Sequence, residues 1–227
     1  MSKLILYHGS NSIIKNPYYH GGKPINDYGY GFYCTENLEL AKEWSCSNEE
    51  MNGFVNTYTL DTKGLRILNL TDKKYSILNW IAILLKNRIF DLDTEIAVEA
   101  KKYLLKHFYI NTDNYDIVIG YRADDSYFSF ARDFVNNIIS VKQLSKAMEL
   151  GKLGIQIVII SELAFSTLHF EAFEKVDQKE YFAKRKMRDD KARQDYLNRT
   201  RKSNTNLEDL FILDIIRRGI KNGDSTL

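Results

Sequence analysis

The sequence predicts a mixed α+β domain over residues 1–175, followed by a charged helical C-terminal extension over residues 176–227. Three observations support this prediction. Short β-prone runs alternate with segments of helical periodicity, the composition changes after about Lys175, and 44% of the 227 residues are hydrophobic. A chain of this length and composition can bury a sizeable core without a disulfide or a metal ion.

In the first third of the chain, four runs are β-prone and one is helical. The predicted strands are Lys3–Tyr7, Tyr30–Thr35, Phe54–Asp61 and Leu65–Leu70. Thr35 is the predicted N-cap of a helix over Glu36–Trp44, because its hydroxyl can accept a hydrogen bond from the first turn. We expect Leu65–Leu70 to continue the preceding strand after a turn at Lys63-Gly64.

The rest of the chain alternates between helices and strands. Apolar spacing of three and four residues predicts helices over Leu78–Leu85, Ile96–His107, Ser126–Ile138 and Ser140–Gly151. Further strands are predicted at Tyr115–Ile119, Ile155–Ile160 and Leu168–Ala172. Ser140 with Gln143, and Thr205 with Glu208, have the spacing of capping boxes. The second box opens a short amphipathic helix that is expected to end at Gly219.

The charge balance excludes some partners. The 32 Lys and Arg residues against 30 Asp and Glu residues give a net charge of +2, so bulk charge does not indicate a nucleic-acid or anionic-membrane partner. Residues 171–202 contain many charges of both signs, which favours a solvated helix face over a nucleic-acid surface. No export signal or membrane span is predicted, and only two cysteines occur, so we expect a cytoplasmic protein.

The common catalytic and metal-binding motifs are absent from the sequence. The four histidines lie far apart, without HExxH or CxxC spacing, and therefore no metal site is predicted. The sequence has no GxSxG motif, no Walker-A loop and no GxGxxG after a strand, so the common hydrolase, nucleotide triphosphatase and Rossmann-fold interpretations lack support.

Two unusual segments remain, Tyr7–Ser10 and Asp27–Thr35. His8 is expected at the exit of the first strand, and glycines in both segments let a ligand approach the backbone closely. Each segment alone is more typical of a turn with packed side chains. Together they supply an imidazole, free backbone amides and aromatic faces, which can bind a flat heterocycle attached to a ribose.

These segments, followed by Ala41-Lys42-Glu43-Trp44, resemble the opening of the ADP-ribosyltransferase fold. More narrowly, they resemble an uncharacterised bacterial domain family with an ADP-ribosyltransferase-like core. The resemblance covers about residues 4–173 and continues through Val55–Tyr58, Asn87-Arg88, Tyr115–Gly120, Ala123–Asp125 and Gln156–Val158. It implies a split β core with inserted helices, and a histidine–tyrosine–glutamate layout that binds NAD.

The resemblance also implies roles for particular residues. His8 would hydrogen-bond the nicotinamide-side ribose, the backbone of Gly9 would hold the nicotinamide amide, and Tyr33 would stack on the nicotinamide ring. The acidic third position falls on Gln156. Ser10, Tyr28, Gly31 and Phe32 complete the NAD-binding set.

Gln156 departs from the pattern of the fold. Cleavage of the nicotinamide–ribose bond builds positive charge on the ribose, which a carboxylate stabilises and a glutamine does not. Gln156 is expected to hydrogen-bond a ribose hydroxyl. The negative charge that a glutamine lacks must then come from a nearby acid. The candidates are Asp125, the residue chosen here, and its alternatives Asp124, Asp27 and Glu149. A Cys34–His8 nucleophile–base pair is less favoured, because cysteine is among the residues most often buried.

The function implied by the resemblance is NAD-dependent transfer of ADP-ribose, a glycosyltransferase reaction, to a macromolecule. The acceptor, protein or nucleic acid, stays open at this point. A small bacterial enzyme of this kind is expected to be a toxin that an antitoxin partner holds in check. The alternatives are an NAD glycohydrolase and a non-catalytic NAD-binding or interaction module that Gln156 makes inert.

Overall fold

Two β-sheets form the centre of the molecule, and helices cover them. The computed structural model describes residues 3–47, 50–123, 125–149, 154–202 and 209–226, excluding the side chains of 125–127, 149 and 199–202. The mixed α+β class predicted from the sequence is confirmed.

The first sheet contains three antiparallel strands, β1 (Lys3–Ser10), β3 (Gly53–Asp61) and β7 (Leu168–Val176), in the order β1-β3-β7. Residues of β1 pair with β3 along the whole length of β1, from Lys3 opposite Asp61 to Ser10 opposite Phe54. The first strand is therefore three residues longer than the sequence predicts, because pairing with β3 continues through His8 and Gly9.

The second sheet contains β2 (Phe32–Cys34), β4 (Ile67–Asn69), β5 (Ile117–Tyr121) and β6 (Ile155–Ile159), in the order β2-β6-β5-β4. The β4–β5 pair is parallel and the other pairs are antiparallel. The prediction that Leu65–Leu70 continues β3 is wrong. The turn at Lys63-Gly64, where Gly64 has a φ of +81°, directs the chain into the second sheet, where β4 pairs with β5.

Eight α-helices lie within the described ranges. They are α1 (Leu38–Ser45), α2 (Ile77–Asn87), α3 (Glu95–His107), α4 (Asp125–Val135), α5 (Val141–Glu149), α6 (Glu162–Ser166), α7 (Gln178–Lys202) and α8 (Ile212–Arg218). The predicted N-cap of α1 is wrong. Asn37 is the cap, and its side-chain oxygen accepts from the Leu40 N–H at 3.1 Å, while Thr35 accepts from the Asn37 N–H.

The other helix ends agree with the sequence patterns where the structure describes them. Ser140 and Gln143 form the predicted capping box at α5, since each side chain accepts a bond from the other's backbone N–H. Gly219 ends α8 in the left-handed conformation, with a φ of +66°. Gly151 and the Thr205–Glu208 box lie outside the described residues.

The core lies on both faces of the second sheet. On β6, Ile157 and Ile159 face the apolar space between the sheets, where Leu6 and Tyr58 are also buried. Val158 faces the opposite side, where it joins the large apolar cluster built mainly by α2, α3, α4, α5 and α8. Because β6 is buried on both faces, a polar residue on this strand needs a hydrogen-bonding partner.

The C-terminal extension packs on the rest of the chain. In α7, Tyr196 is buried and its hydroxyl donates to Asp133 at 2.8 Å. Arg188 Nε lies 2.7 Å from Glu43 of α1, and both side chains are largely buried. The charged helix thus contributes to the core as well as to the surface. Within the described part of the chain, no helix combines the length and the apolar character needed to cross a membrane.

Candidate functional site

The two sheets meet where β1 and β2 come together and then separate. Tyr7 and Thr35 exchange backbone hydrogen bonds of 2.8 and 3.0 Å in an isolated bridge. Alternate residues of a strand direct their N–H and C=O groups to the same side. The backbone groups of Gly9 and Tyr33, two residues beyond this bridge on each strand, therefore point into the gap that opens between the sheets.

A cavity of about 570 Å³ opens at this gap, a volume within the usual range for small-molecule sites. It brings together six residues predicted from the sequence: His8, Gly9, Gly31, Phe32, Tyr33 and Gln156. It also contains Asp27, one of the alternative acids, and three residues with no role assigned from the sequence, namely Trp44, Arg88 and Arg122. The predicted residues come from β1, β2 and β6, and from the turn before β2.

His8 is held in one orientation by two contacts. Its Nδ1 lies 2.7 Å from the carbonyl oxygen of Tyr33, and its ring stacks on Phe32 with centroids 4.3 Å apart. Because a carbonyl only accepts, Nδ1 carries the proton. Burial lowers the pKa of His8, which favours the neutral ring and makes Nε2 a hydrogen-bond acceptor. The expectation that His8 lies at the exit of the first strand, free of strand pairing, is wrong, since His8 pairs with Asn56 inside β1.

Tyr33 is anchored through its hydroxyl group. The hydroxyl donates to the Gly29 carbonyl at 2.7 Å and accepts from the Tyr28 N–H at 3.1 Å. These bonds fix the ring in the cavity wall and hold the loop before β2 against it. Burial raises the pKa of Tyr33, so the hydroxyl stays protonated at physiological pH.

Gln156 is buried, and its hydrogen-bonding partner is a carboxylate. The Nε2 amide donates to Asp27 Oδ2 at 2.8 Å, and it lies 3.3 Å from the Tyr121 carbonyl oxygen. The sequence predicts a ribose hydroxyl as the partner of Gln156. In the structure the amide instead ties the core strand β6 to the loop that carries Asp27.

Asp27 is 6% exposed and makes several polar contacts. Its Oδ2 also accepts from the Ala123 N–H at 2.8 Å, and its Oδ1 lies 3.8 Å from Arg88 Nη1. Burial raises the pKa of Asp27, while these hydrogen bonds and Arg88 act in the opposite direction. A carboxylate in this setting can carry the negative charge that Gln156 lacks.

Of the four candidate acids, Asp27 is the one whose side chain lies within the described residues, and it contacts Gln156. Asp124 and the side chains of Asp125 and Glu149 lie outside the described residues. The side chain of Asp125, the acid preferred from the sequence, therefore lies outside the described residues, and its role stays a prediction.

Positive charge and an indole complete the cavity wall. The Arg122 guanidinium lies over the Trp44 ring, 4.3 Å from its centroid, and Arg88 lies 5.2 Å from the Phe128 ring centroid. The Trp44 Nε1 atom is buried without a hydrogen-bond partner. The resemblance includes Trp44 and Arg88 but assigns them no role, and sequence reasoning missed Arg122 because an isolated Arg carries no local signal of a site.

Packing accounts for the two glycines of the site. A Cβ atom on Gly9 would lie 2.1 Å from the Ala41 carbonyl oxygen of α1, and one on Gly31 would lie 2.5 Å from Val158 Cγ1. Neither position has room for a side chain. The glycines are therefore required by α1 and β6, whether or not a ligand approaches their backbone.

Three residues considered in the sequence analysis do not line this cavity. The Ser10 hydroxyl bonds Ser12 and the Asn56 amide, and Tyr28 is a core residue whose hydroxyl donates to Tyr121 at 2.8 Å. Cys34 is fully buried in the apolar space between the sheets, where burial raises its pKa well above the usual range. The Cys34 thiol is therefore not placed as a nucleophile for His8.

The fold and cavity define a mixed α+β protein with a ligand-sized site at the junction of two sheets. The chain belongs to the family described as a protein of unknown function, DUF3990, whose model matches residues 4–170. No curated protein and no solved structure matches the chain significantly.

Proposed function

We propose that this protein is an NAD-dependent ADP-ribosyltransferase that transfers ADP-ribose to a macromolecule. The observation that carries the proposal is the 2.8 Å contact between Gln156 and Asp27, in the cavity that also contains His8 and Tyr33. Asp27 supplies a carboxylate beside the position where the resemblance expects one.

The nicotinamide end of NAD fits the chemistry of the gap between β1 and β2. The Tyr33 ring offers a flat face for the nicotinamide, because its hydroxyl already holds it in the wall. The backbone of Gly9 points into the gap and can bond the carboxamide. The Nε2 atom of neutral His8 can accept a bond from a ribose hydroxyl.

The diphosphate of NAD needs positive charge, which Arg88 and Arg122 bring to the same cavity. Arg122 is oriented by its stacking on Trp44, and Arg88 by its approach to Asp27. A guanidinium that is already oriented loses less conformational entropy when it binds phosphate.

In the proposed reaction the bond between the nicotinamide nitrogen and ribose C1′ breaks, and the electron pair leaves with nicotinamide. Asp27 stabilises the positive charge that develops on the ribose, in the manner of a glycosidase carboxylate. A nucleophilic atom of the acceptor then bonds C1′ and loses its proton, which Asp27 can accept. Gln156 holds the carboxylate in position.

Purified protein incubated with NAD labelled in its adenylate half and a cell lysate tests the proposal. We expect label in macromolecules, release of nicotinamide, and a loss of about 100-fold or more in rate for Asp27→Asn. The control is Asp91→Asn, which changes an exposed carboxylate outside the cavity.

Other outcomes contradict the proposal. Free ADP-ribose without labelled macromolecules would identify an NAD glycohydrolase. NAD binding without nicotinamide release would identify a non-catalytic binding module. If NAD neither binds nor reacts, the site assignment itself is wrong.

A further inference from the structure

The chain between β1 and β2 forms a wall of the NAD cavity that has no assigned role. We call residues 14–26 the strap. The strap residues that line the cavity are all uncharged: Ile14, residues 16–18, Gly21, Gly22 and Asn26. The charges of the cavity come instead from Asp27, Arg88 and Arg122. The strap therefore suits an uncharged part of a ligand.

Tyr18 is the aromatic residue through which the strap lines the cavity. It is 71% exposed, and its ring packs on no other aromatic ring among the residues that the structure describes. Gly21 lies against the ring, because a Cβ atom at Gly21 would be 3.0 Å from Tyr18 Cζ. The ring is thus supported on one side and otherwise open, so a planar group can stack on it.

Buried polar side chains fix the start of the strap. Asn56 of β3 is fully buried. Its Oδ1 accepts from the Ile14 N–H at 2.9 Å, and its Nδ2 donates to the Ser12 carbonyl at 3.1 Å. The Tyr58 hydroxyl donates to the Ile14 carbonyl. Tyr18 therefore projects from a backbone that is anchored before a ligand arrives, which lowers the entropic cost of binding.

The second half of the strap is fastened to the loop before β2. The His20 ring lies between Tyr19 and Tyr30, with centroid distances of 3.8 and 4.6 Å. His20 has a φ of +61°, which is uncommon for a residue with a side chain. A Cβ atom on Gly22 would lie 2.8 Å from the Gly31 carbonyl oxygen, so the two backbones are in direct contact. These contacts hold the strap against the cavity.

The strap has what the second ring of a dinucleotide needs. A dinucleotide carries a ring at each end and a diphosphate between them. In the proposed binding mode Tyr33 takes the nicotinamide, while Arg88 and Arg122 take the diphosphate. The remaining base then requires an uncharged wall with an open aromatic face in the same cavity. Base stacking on such a face is favourable, and Tyr18 provides one.

Asn16 indicates which base fits. It lines the cavity two residues before Tyr18, and within the described ranges its side chain has no hydrogen-bonding partner. A side-chain amide donates and accepts in one plane, which matches the ring nitrogen N7 and the amino group of adenine.

We infer that the strap binds the adenine base of the dinucleotide, which stacks on Tyr18 and is hydrogen-bonded by Asn16. The identity of the whole ligand rests on the proposed function, whereas binding of an adenine nucleotide does not. The reacting half of the ligand is held by β1, β2 and β6, and the strap is a separate segment. Changes in the strap therefore affect affinity for the adenine half alone.

Isothermal titration calorimetry with NAD, ADP-ribose and nicotinamide mononucleotide tests the stacking. Tyr18→Ala should weaken binding of NAD and ADP-ribose at least about fivefold, the lower end of the effect of removing one stacked base, and leave the mononucleotide unaffected. Tyr18→Phe keeps the ring and should keep the parental affinity. Phe173→Ala is the control, because it removes an exposed ring of β7 that does not line the cavity.

The hypoxanthine analogue of NAD tests the role of Asn16, since it replaces the amino group of adenine with a carbonyl oxygen. The parent protein should prefer NAD over this analogue at least about fivefold, and Asn16→Ala should remove the preference. Tyr18→Ala should weaken both dinucleotides by the same factor, because both bases stack.

Three results would overturn the inference. These are parental affinity for NAD and ADP-ribose in folded Tyr18→Ala, an equal loss of affinity for the mononucleotide, and equal affinity of the parent for the two dinucleotides. Circular dichroism and melting temperature establish that the variants are folded.

The adenine site and the proposed transferase fail in distinguishable ways. If ADP-ribose binds and Tyr18→Ala weakens it, but NAD releases no nicotinamide, the transferase fails while the adenine site stands. If NAD is cleaved and Tyr18→Ala and Asn16→Ala keep the parental KM, the adenine site fails while the transferase stands. If neither NAD nor ADP-ribose binds, both are wrong.

Discussion

Gln156→Glu puts the carboxylate where the family resemblance expects it, and the structure predicts that this substitution is harmful. The Nε2 atom of Gln156 lies 2.8 Å from Asp27 Oδ2. Two ionised carboxylates at that separation repel by about 6 kcal/mol at an effective dielectric constant of about 20. They cannot both be charged, so the pair retains one shared proton, as in paired aspartates of known enzymes.

This shared proton gives the variant a distinctive pH dependence. The folded state keeps a proton that the unfolded chain, with an ordinary glutamate pKa of about 4.3, releases. Folding stability of Gln156→Glu should therefore fall as pH rises above that value, by about 1.4 kcal/mol per pH unit until the raised pKa of the pair is reached. Relative to the parent protein, the variant should be close to normal near pH 4 and weakest at alkaline pH.

The assay is thermal and denaturant unfolding of parent and variant between pH 5 and pH 8. The matched control is Gln143→Glu, since Gln143 accepts the Ser140 N–H at 2.8 Å and a glutamate can keep that bond. The double variant Asp27→Asn with Gln156→Glu exchanges amide and carboxylate, and should recover most of the stability lost at pH 8.

NAD cleavage should follow the same order, with Gln156→Glu slower than the parent because the added group neutralises or repels Asp27. If Gln156→Glu and Gln143→Glu lose the same stability between pH 5 and pH 8, the side chain at position 156 does not contact Asp27. If Gln156→Glu cleaves NAD faster than the parent, Asp27 does not supply the charge.

Three further predictions concern the same cavity. NAD at a hundredfold excess over Kd should stabilise the fold by about 2.7 kcal/mol, and an unchanged melting temperature with no calorimetric binding would contradict the nucleotide site. Tyr33→Ala should weaken NAD binding because it removes the ring, and a folded Tyr33→Ala protein with parental NAD affinity would exclude stacking. Tyr33→Phe keeps the ring but leaves the Tyr28 N–H and the Gly29 carbonyl without their partner, at a cost of about 1–3 kcal/mol of stability. Gly9→Ala should lower the melting temperature because its Cβ meets the Ala41 carbonyl at 2.1 Å, and a parental value would contradict the packing of α1 on β1.

Local sequence patterns predicted where the strands lie better than they predicted which strands pair with each other. Alternation predicted β3 and a β-branched run predicted β6, because the residues that each strand buries are visible in the sequence of that strand itself. Leu65–Leu70 was assigned to the wrong sheet, since the parallel pairing of β4 with β5 joins segments about fifty residues apart. The extension of β1 through His8 also depends on a distant strand.

The candidate site was predictable to a similar extent. The resemblance placed His8, Tyr33 and Gln156 in one site, and the structure brings all three to one cavity. The choice among four acids was not predictable, because it depends on the Ala123 N–H and the Gln156 amide converging on Asp27. Arg88 was named only within the Asn87-Arg88 piece of the resemblance, and Arg122 carried no local signal of a site.

The position of the carboxylate on a loop has a mechanical consequence. A glutamate on β6 would be fixed by the sheet, but Asp27 is held by contacts from several elements: the Gln156 amide, the Ala123 N–H and, through its own carbonyl, the Asn87 side chain at 3.5 Å. The adjoining residues Tyr28 and Gly29 are held by hydrogen bonds to the Tyr33 hydroxyl. A carboxylate at position 156 would repel Asp27 and disturb this arrangement, which is why restoring the expected glutamate should impair the site.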